Sequence, residues 1–224
     1  GVSISGGSFT MSGGAVSGNT FSSSGGDRGG GGVYVSGGSF TMSGGTVSGN
    51  TSYGGGGVYV SEGSFTMSGG MVSGNTSDAG GGVYVVNEGS FSMNGNAVVR
   101  DNILSGTNGY GREVLVGYSG IFKISGEARP ERVFLYDNTR SVTISGPLGG
   151  GLISIDLGIT SSVPLASYVN LPVLRLDSGA YSAGDLASLK EHFSLENTKM
   201  TESPWAETPI TGYRIDGSGR FVAE

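Results

Sequence analysis

Short alternations of apolar and polar residues, cut by glycine, run through the N-terminal half of the chain. Val33-Tyr34-Val35, Ser39-Phe40-Thr41-Met42 and Thr46-Val47-Ser48 each send alternate side chains to opposite faces, the period of a β-strand. Gly-Gly, Ser-Gly and Asn stand between these runs and signal turns. Glycine recurs too often for a helix to be drawn through any of them. The pattern predicts three short strands, Val33–Val35, Ser39–Met42 and Thr46–Ser48.

The same runs then recur. Phe9, Phe40, Phe65 and Phe91 lie 31, 25 and 26 residues apart, the first interval being lengthened by an insertion over Phe21–Gly29. Met11, Met42, Met67 and Met93 follow these phenylalanines by two residues, Val16, Val47 and Val72 by seven, and Asn19, Asn50 and Asn75 by ten. Three strands per roughly 25 residues predict an all-β parallel β-helix, a solenoid in which each unit forms one coil. Coils stacked about 4.8 Å apart would align equivalent residues into files. Phe, Met and Val are expected inside, and Tyr34, Tyr59 and Tyr84 outside with Thr10, Thr41 and Thr66. The asparagines are expected in a turn, where Asn tolerates a left-handed backbone and pairs with its own chain. A single coil cannot bury its own apolar face, so the fold requires the copies.

Beyond Arg100 the repeat degenerates. Val114-Leu115-Val116 and Val142-Thr143-Ile144 are read as counterparts of Val-Tyr-Val, and Ile121–Ile124 of Ser-Phe-Thr-Met. Val99-Arg100-Asp101-Asn102 and Leu135-Tyr136-Asp137-Asn138 are read as counterparts of Val-Ser-Gly-Asn. The β-helix is thus predicted over residues 1–160. Residues 161–224 are predicted to form a small mixed C-terminal cap with a strand in Leu171–Leu176, one short helix over Gly184–His192, and a hairpin around Gly217-Ser218-Gly219. The chain opens in mid-repeat, which suggests a piece of a longer protein. Its first coil is expected to present an edge for further coils or another subunit.

Composition narrows the function. The 46 glycines have no G-X-Y period, which excludes collagen, and the regular apolar files exclude a flexible linker. The net charge of −6 argues against nucleic acid as a partner. Residues 1–96 carry only Asp27, Arg28, Glu62, Asp78 and Glu88, so ionisable chemistry is concentrated further on. The absence of cysteine removes disulfides and thiolate sites, and no apolar run is long enough for a membrane span.

The unit GGGVYVSGGSFTMSGGTVSGNT, with Gly32-Val33-Tyr34 and Val47-Ser48-Gly49-Asn50, resembles the GGA(I/L/V) and FxxN repeats of chlamydial polymorphic outer-membrane proteins. It is similar also to the Gly-rich repeats of large surface proteins in spirochaetes and gut bacteria. The resemblance implies a right-handed parallel β-helix, export to the cell surface or beyond, and a structural or adhesive role. It is strong over residues 1–102 and weak over 103–160. Val stands where the FxxN pattern has Phe.

Three functions follow as expectations. The first is a non-catalytic extracellular domain acting as stalk or adhesin, with a glycan or a host or neighbouring cell surface as partner. The file of Tyr34, Tyr59 and Tyr84 is its candidate ligand face. The second is a filament subunit that assembles through the N-terminal edge. The third is a polysaccharide lyase or hydrolase, which needs paired carboxylates or a Ca²⁺ site. Asp101, Asn102, Asp137 and Asn138 are the candidates if successive coils bring them together, and Ca²⁺ is the one cofactor considered. His192 is the only histidine and stands alone; Trp205 is expected to pack a loop onto the cap. Asn50-Thr51-Ser52 and Asn75-Thr76-Ser77 match the N-glycosylation sequon.

Overall fold

The computed structural model describes residues 1–22, 28–105, 110–137, 139–149, 152–159, 173–176, 192–200, 207–211, 213–216 and 218–223. Among these the regular structure is β, arranged in long parallel sheets to which successive repeats each contribute a strand. Sheet I has nine strands: Val2–Ile4, Val33–Val35, Val58–Ser61, Val83–Val86, Val114–Val116, Arg132–Leu135, Ile153–Ile159, Phe193–Met200 and Glu207–Pro209. Sheet II has seven: Ser8–Met11, Ser39–Met42, Ser64–Met67, Ser90–Met93, Ile121–Gly126, Val142–Leu148 and Leu174–Leu176. Sheet III has five: Ala15–Ser17, Thr46–Ser48, Met71–Ser73, Val98–Arg100 and Arg129–Pro130. The three strands expected in the second unit appear with the expected bounds. The architecture is compatible with a β-solenoid.

Pairing keeps equivalent residues in register. Phe9, Phe40, Phe65, Phe91 and Phe122 are successive partners in sheet II, and Val16, Val47, Val72 and Val99 in sheet III. The rings of Phe40, Phe65 and Phe91 stack nearly parallel, with centroids 4.6 and 4.7 Å apart. These rings are fully buried with Val33, Val35, Met42 and Val47 and their copies, each large side chain contributing about 1.5–3 kcal/mol by leaving water. Phe9 and Val16 are only partly buried, because the strands of their coil stand at the edges of sheets II and III.

A fourth sheet departs from the sequence-based expectation of three. Thr51–Ser52, Thr76–Ser77 and Ile103–Leu104 pair in parallel, and Thr20 bridges to Thr51. Ser77 is buried and its hydroxyl donates to Ala79 O at 2.6 Å while accepting from Ala79 N at 3.1 Å; Ser52 turns the chain in the same way around Gly54. These two-residue strands carry no apolar alternation that would betray them.

The three glycines before Val58 are each required by a different contact. Gly55 has φ +66°, and a Cβ there would lie 2.8 Å from Tyr59 Cβ. At Gly56 it would lie 2.5 Å from Gly81 O, and at Gly57 2.7 Å from Gly82 O and 2.9 Å from Asn75 Nδ2. Backbone passes so close to backbone that only hydrogen fits.

The two coils that follow Val114 are shorter, and two alignments read from the sequence are corrected. Val142-Thr143-Ile144 pairs with Phe122-Lys123-Ile124 in sheet II, so it continues the Phe file rather than the Val-Tyr-Val segment. Val133-Phe134-Leu135 is the true counterpart of Val114-Leu115-Val116. Sheet III stops at Arg129–Pro130, whose proline lacks the N–H that a continuing ladder needs. Sheet I ends in an antiparallel pairing, Phe193–Met200 with Glu207–Pro209, and Tyr213–Ile215 pairs with Phe221–Ala223 as an antiparallel hairpin. The helix expected over Gly184–His192 lies, apart from His192, outside the described residues.

Candidate functional site

Tyr34, Tyr59 and Tyr84 do point away from the main core, as the strand period requires, and they are register partners in sheet I. They do not form an open face. Tyr59 and Tyr84 are only 6% and 4% exposed, and Tyr34 is half-buried. The turns before the strands lie against the base of the side chains, Gly55 against Cα and Cβ of Tyr59 and Gly80 against those of Tyr84, while Gly117 lies against the Tyr84 ring and the Arg28 guanidinium sits 5.8 Å from its centroid. Burial pushes the Tyr59 and Tyr84 phenols above their ordinary range. The expected ligand stripe is therefore a second, smaller core, which also includes Ala79, Val86, Tyr110, Leu115 and Phe134.

This aromatic file comes to the surface at its far end. Tyr110 lies 5.5 Å from Tyr136, and Tyr136 lies 4.8 Å from Tyr118, centroid to centroid. Tyr118 is 57% exposed and its hydroxyl donates to the Tyr136 hydroxyl at 3.2 Å. That bond, with partial burial, raises the Tyr118 phenol to about 12.

Of the candidate Ca²⁺ ligands, Asp101 and Asp137 are not brought together. Asp101 follows a strand of sheet III, whereas Asp137 follows Arg132–Leu135 of sheet I, so the two occupy different corners of the stack. The shortened coil is the reason: Leu135-Tyr136-Asp137 ends a sheet I strand and is no counterpart of Val99-Arg100-Asp101. Asp101 has φ +56° and stands where Gly49 and Gly74 have φ +63°, so it serves the turn. Its carboxylate is exposed beside Arg100. Asp137 caps its own loop by accepting from Thr139 N at 2.8 Å and Arg140 Nε at 3.3 Å. Asn138 lies outside the described residues. Among the described residues no cluster of three or more His, Cys, Asp or Glu is placed to hold a metal ion.

Asn102 belongs to a polar file instead. Asn19 N and Nδ2 donate to Asn50 Oδ1; Asn50 N and Nδ2 donate to Asn75 Oδ1; Asn75 N and Nδ2 donate to Asn102 Oδ1, all between 2.9 and 3.1 Å. Each carboxamide also reaches a backbone carbonyl of the coil before it: Asn50 to Val16 O, Asn75 to Val47 O and Asn102 to Val72 O. The bonds thus run between coils as well as within the turn, where Nδ2 of Asn19, Asn75 and Asn102 donates to Ser17 O, Ser73 O and Arg100 O as expected. Asn50 and Asn75 are completely buried with Nδ2 engaged, so the two sequons are closed to glycosylation in the folded chain.

The file ends at a residue that sequence reasoning passed over. Glu113 is 1% exposed, and its Oε2 accepts from Asn102 Nδ2 at 2.6 Å and Asn102 N at 3.3 Å. It takes the part that the next asparagine would play. Burial pushes this carboxyl up to about 7, against the opposing pull of the two Asn102 bonds. The clue in the sequence is its position: the register that pairs Val83 with Val114 sets Glu113 beside Gly82, the last glycine of a Gly-Gly-Gly-Val segment.

Beside the end of sheet III is a groove of about 390 Å³ lined by Met71, Val98, Arg100, Asp101, Arg129, Glu131 and Leu152. Met71, Val98 and Arg129 are successive register partners, so one wall is a file of outward side chains. Leu152 is 61% exposed at the rim. Arg100 meets Asp101 at 3.5 Å and Arg129 meets Glu127 at 3.8 Å; all four side chains are more than half exposed. Such pairs contribute at most about 1 kcal/mol each and yield easily to a competing anion.

His192 is half-buried at the start of the Phe193–Met200 strand, and Trp205 lies outside the described residues. Among the described residues no helix is long and apolar enough to cross a membrane. No protein-family model, curated protein or solved structure matches the chain.

Proposed function

We propose that the chain is a right-handed parallel β-helix serving as a non-catalytic structural and adhesive domain on the surface of a bacterial cell, and that its groove at the end of sheet III binds acidic glycans. Right-handed crossovers between parallel strands are the near-universal choice of twisted sheets, which supports the handedness. The resemblance of the repeats to bacterial surface-protein repeats supports the location. The groove carries the binding reading. It places Arg100 and Arg129 together on a chain of net charge −6, beside an apolar wall of Met71, Val98 and Leu152. A sugar ring packs its C–H face on such a wall, a uronate or sialate carboxylate pairs with the guanidinium groups, and Asp101 and Glu131 accept from hydroxyls. The lyase or hydrolase reading loses support because Asp101 and Asp137 occupy different corners.

Binding to a panel of uronate oligosaccharides, sialylated oligosaccharides and their neutral analogues tests the reading. Acidic members are expected to bind, and Arg100→Ala with Arg129→Ala to weaken them tenfold or more without changing the circular dichroism spectrum. Equal binding of neutral analogues, or indifference to the double substitution, overturns it.

A further inference from the structure

We infer that Tyr118 and Tyr136 form an oxidative cross-linking site, a dityrosine staple between successive coils. Tyr136 N donates to Val116 O, which sets Tyr136 beside Gly117 in the neighbouring coil, so a bond from Tyr118 to Tyr136 joins two coils rather than two points of one turn. The rings are 4.8 Å apart and the hydroxyls 3.2 Å apart, which brings the ring carbons beside each oxygen into reach of one another. Tyr118 is 57% exposed and its partner half-buried, so a small oxidant reaches one ring while the other is held in place. Tyr110 backs Tyr136 at 5.5 Å and keeps that ring from turning away. The staple also has a structural purpose. It falls beside the level at which sheet III ends, where fewer sheets hold successive coils together, in a chain without cysteine to form disulfides.

The chemistry needs an oxidant, and the class named here is hydrogen peroxide with a haem peroxidase. Each phenol gives up one electron and its hydroxyl proton, leaving two phenoxyl radicals. The radicals join through the carbons ortho to their oxygens, forming one C–C bond. The two ortho hydrogens then pass as protons to the oxygens and restore both phenols. One peroxide takes up the two electrons and two protons and becomes two waters, and the protein ends two hydrogens lighter.

Peroxidase and hydrogen peroxide applied to the dilute protein test the site. The expected product is a monomer lighter by two hydrogens, with dityrosine fluorescence and a cross-linked peptide that maps to Tyr118 and Tyr136. Its melting temperature rises above that of the untreated protein. Tyr118→Phe and Tyr136→Phe keep the fold and each reduce this product at least tenfold, whereas Tyr53→Phe, at an exposed tyrosine elsewhere, leaves it unchanged. Cross-links found only between chains, mapped to other tyrosines, or formed equally in the two Phe variants would overturn the assignment.

Discussion

Glu113 closes the asparagine file by accepting from Asn102 Nδ2 at 2.6 Å, and with Asp156 it is one of two buried carboxylates among the described residues. One Nδ2–H bond of each of Asn19, Asn50, Asn75 and Asn102 runs along the stack toward Glu113, and the last of these bonds favours its charged form. Burial nevertheless outweighs them and raises the group from 4.5 to about 7. Glu131 repels the charged form and Arg112 favours it. The unfolded chain releases this proton near the ordinary carboxyl value. Between about 4.5 and 7 the folded state therefore holds more protons, and stability falls as the pH rises through that window. The expected loss is on the order of 1–3 kcal/mol. Glu113→Gln keeps an acceptor for Asn102 and removes this part of the slope. Urea midpoints at the two ends of the window check it; an unchanged slope in the variant contradicts it.

The middle rungs carry more than the ends. Asn75→Ala strips the acceptor from Asn50 N and Nδ2, the Nδ2 donor from Asn102 Oδ1 and the partner of Val47 O, all in buried surroundings, and leaves Asn102 Oδ1 only the backbone N–H of residue 75. A loss of about 2–4 kcal/mol is expected, measured by urea unfolding. Asn19→Ala, on a half-buried rung, is expected to cost less than half as much.

Glycines of the same type are expected to differ sharply by position. Gly57→Ala drives a methyl group into Gly82 O and Asn75 Nδ2 and is expected to cost about 2 kcal/mol or more. Gly6→Ala meets nothing within 4 Å and is expected to be neutral or to stabilise by about 0.5 kcal/mol through the unfolded chain. Thermal melts of the two variants separate these outcomes.

The aromatic file makes a parallel contrast. Tyr84→Ala opens the second core and is expected to destabilise by about 3 kcal/mol. Tyr118→Ala, at the exposed end, is expected to stay within about 1 kcal/mol of the parent. Equal losses in chemical denaturation would show that the covering turns do not exclude water from Tyr84.

The repeat made much of the fold legible. Phe40 to Phe65 and Val47 to Val72 announced the register because identical side chains at fixed offsets stack only when the strands align. What failed to show had physical reasons. Thr51–Ser52 is held by backbone and hydroxyl bonds, which leave no apolar trace. Tyr84 alternates outward correctly, yet its burial depends on Gly117 and Arg28, which reach its ring from outside its strand. Asp137 is misaligned with Asp101 because the coil passes from its sheet III strand, Arg129–Pro130, directly to the sheet I strand Arg132–Leu135 with no sheet IV strand between them, and no local pattern marks a missing segment. Glu113 was visible only as a charge where the copies have glycine, and its partner Asn102 had been assigned to a metal.

The central claim is the register-locked stacking of the coils, and engineered cysteine pairs test it most directly because the chain has none of its own. Thr10, Thr41, Thr66 and Ser92 are successive register partners on the outward face of sheet II. Neighbours one coil apart, about 4.8 Å, are within disulfide reach, whereas residues two coils apart are beyond it. Mild oxidation is predicted to link Cys introduced at Thr10 with Thr41, Thr41 with Thr66, and Thr66 with Ser92, each within one monomer. The pair at Thr10 and Thr66 is predicted to stay reduced. Efficient linkage of Thr10 with Thr66, or none between Thr41 and Thr66, would contradict the stack.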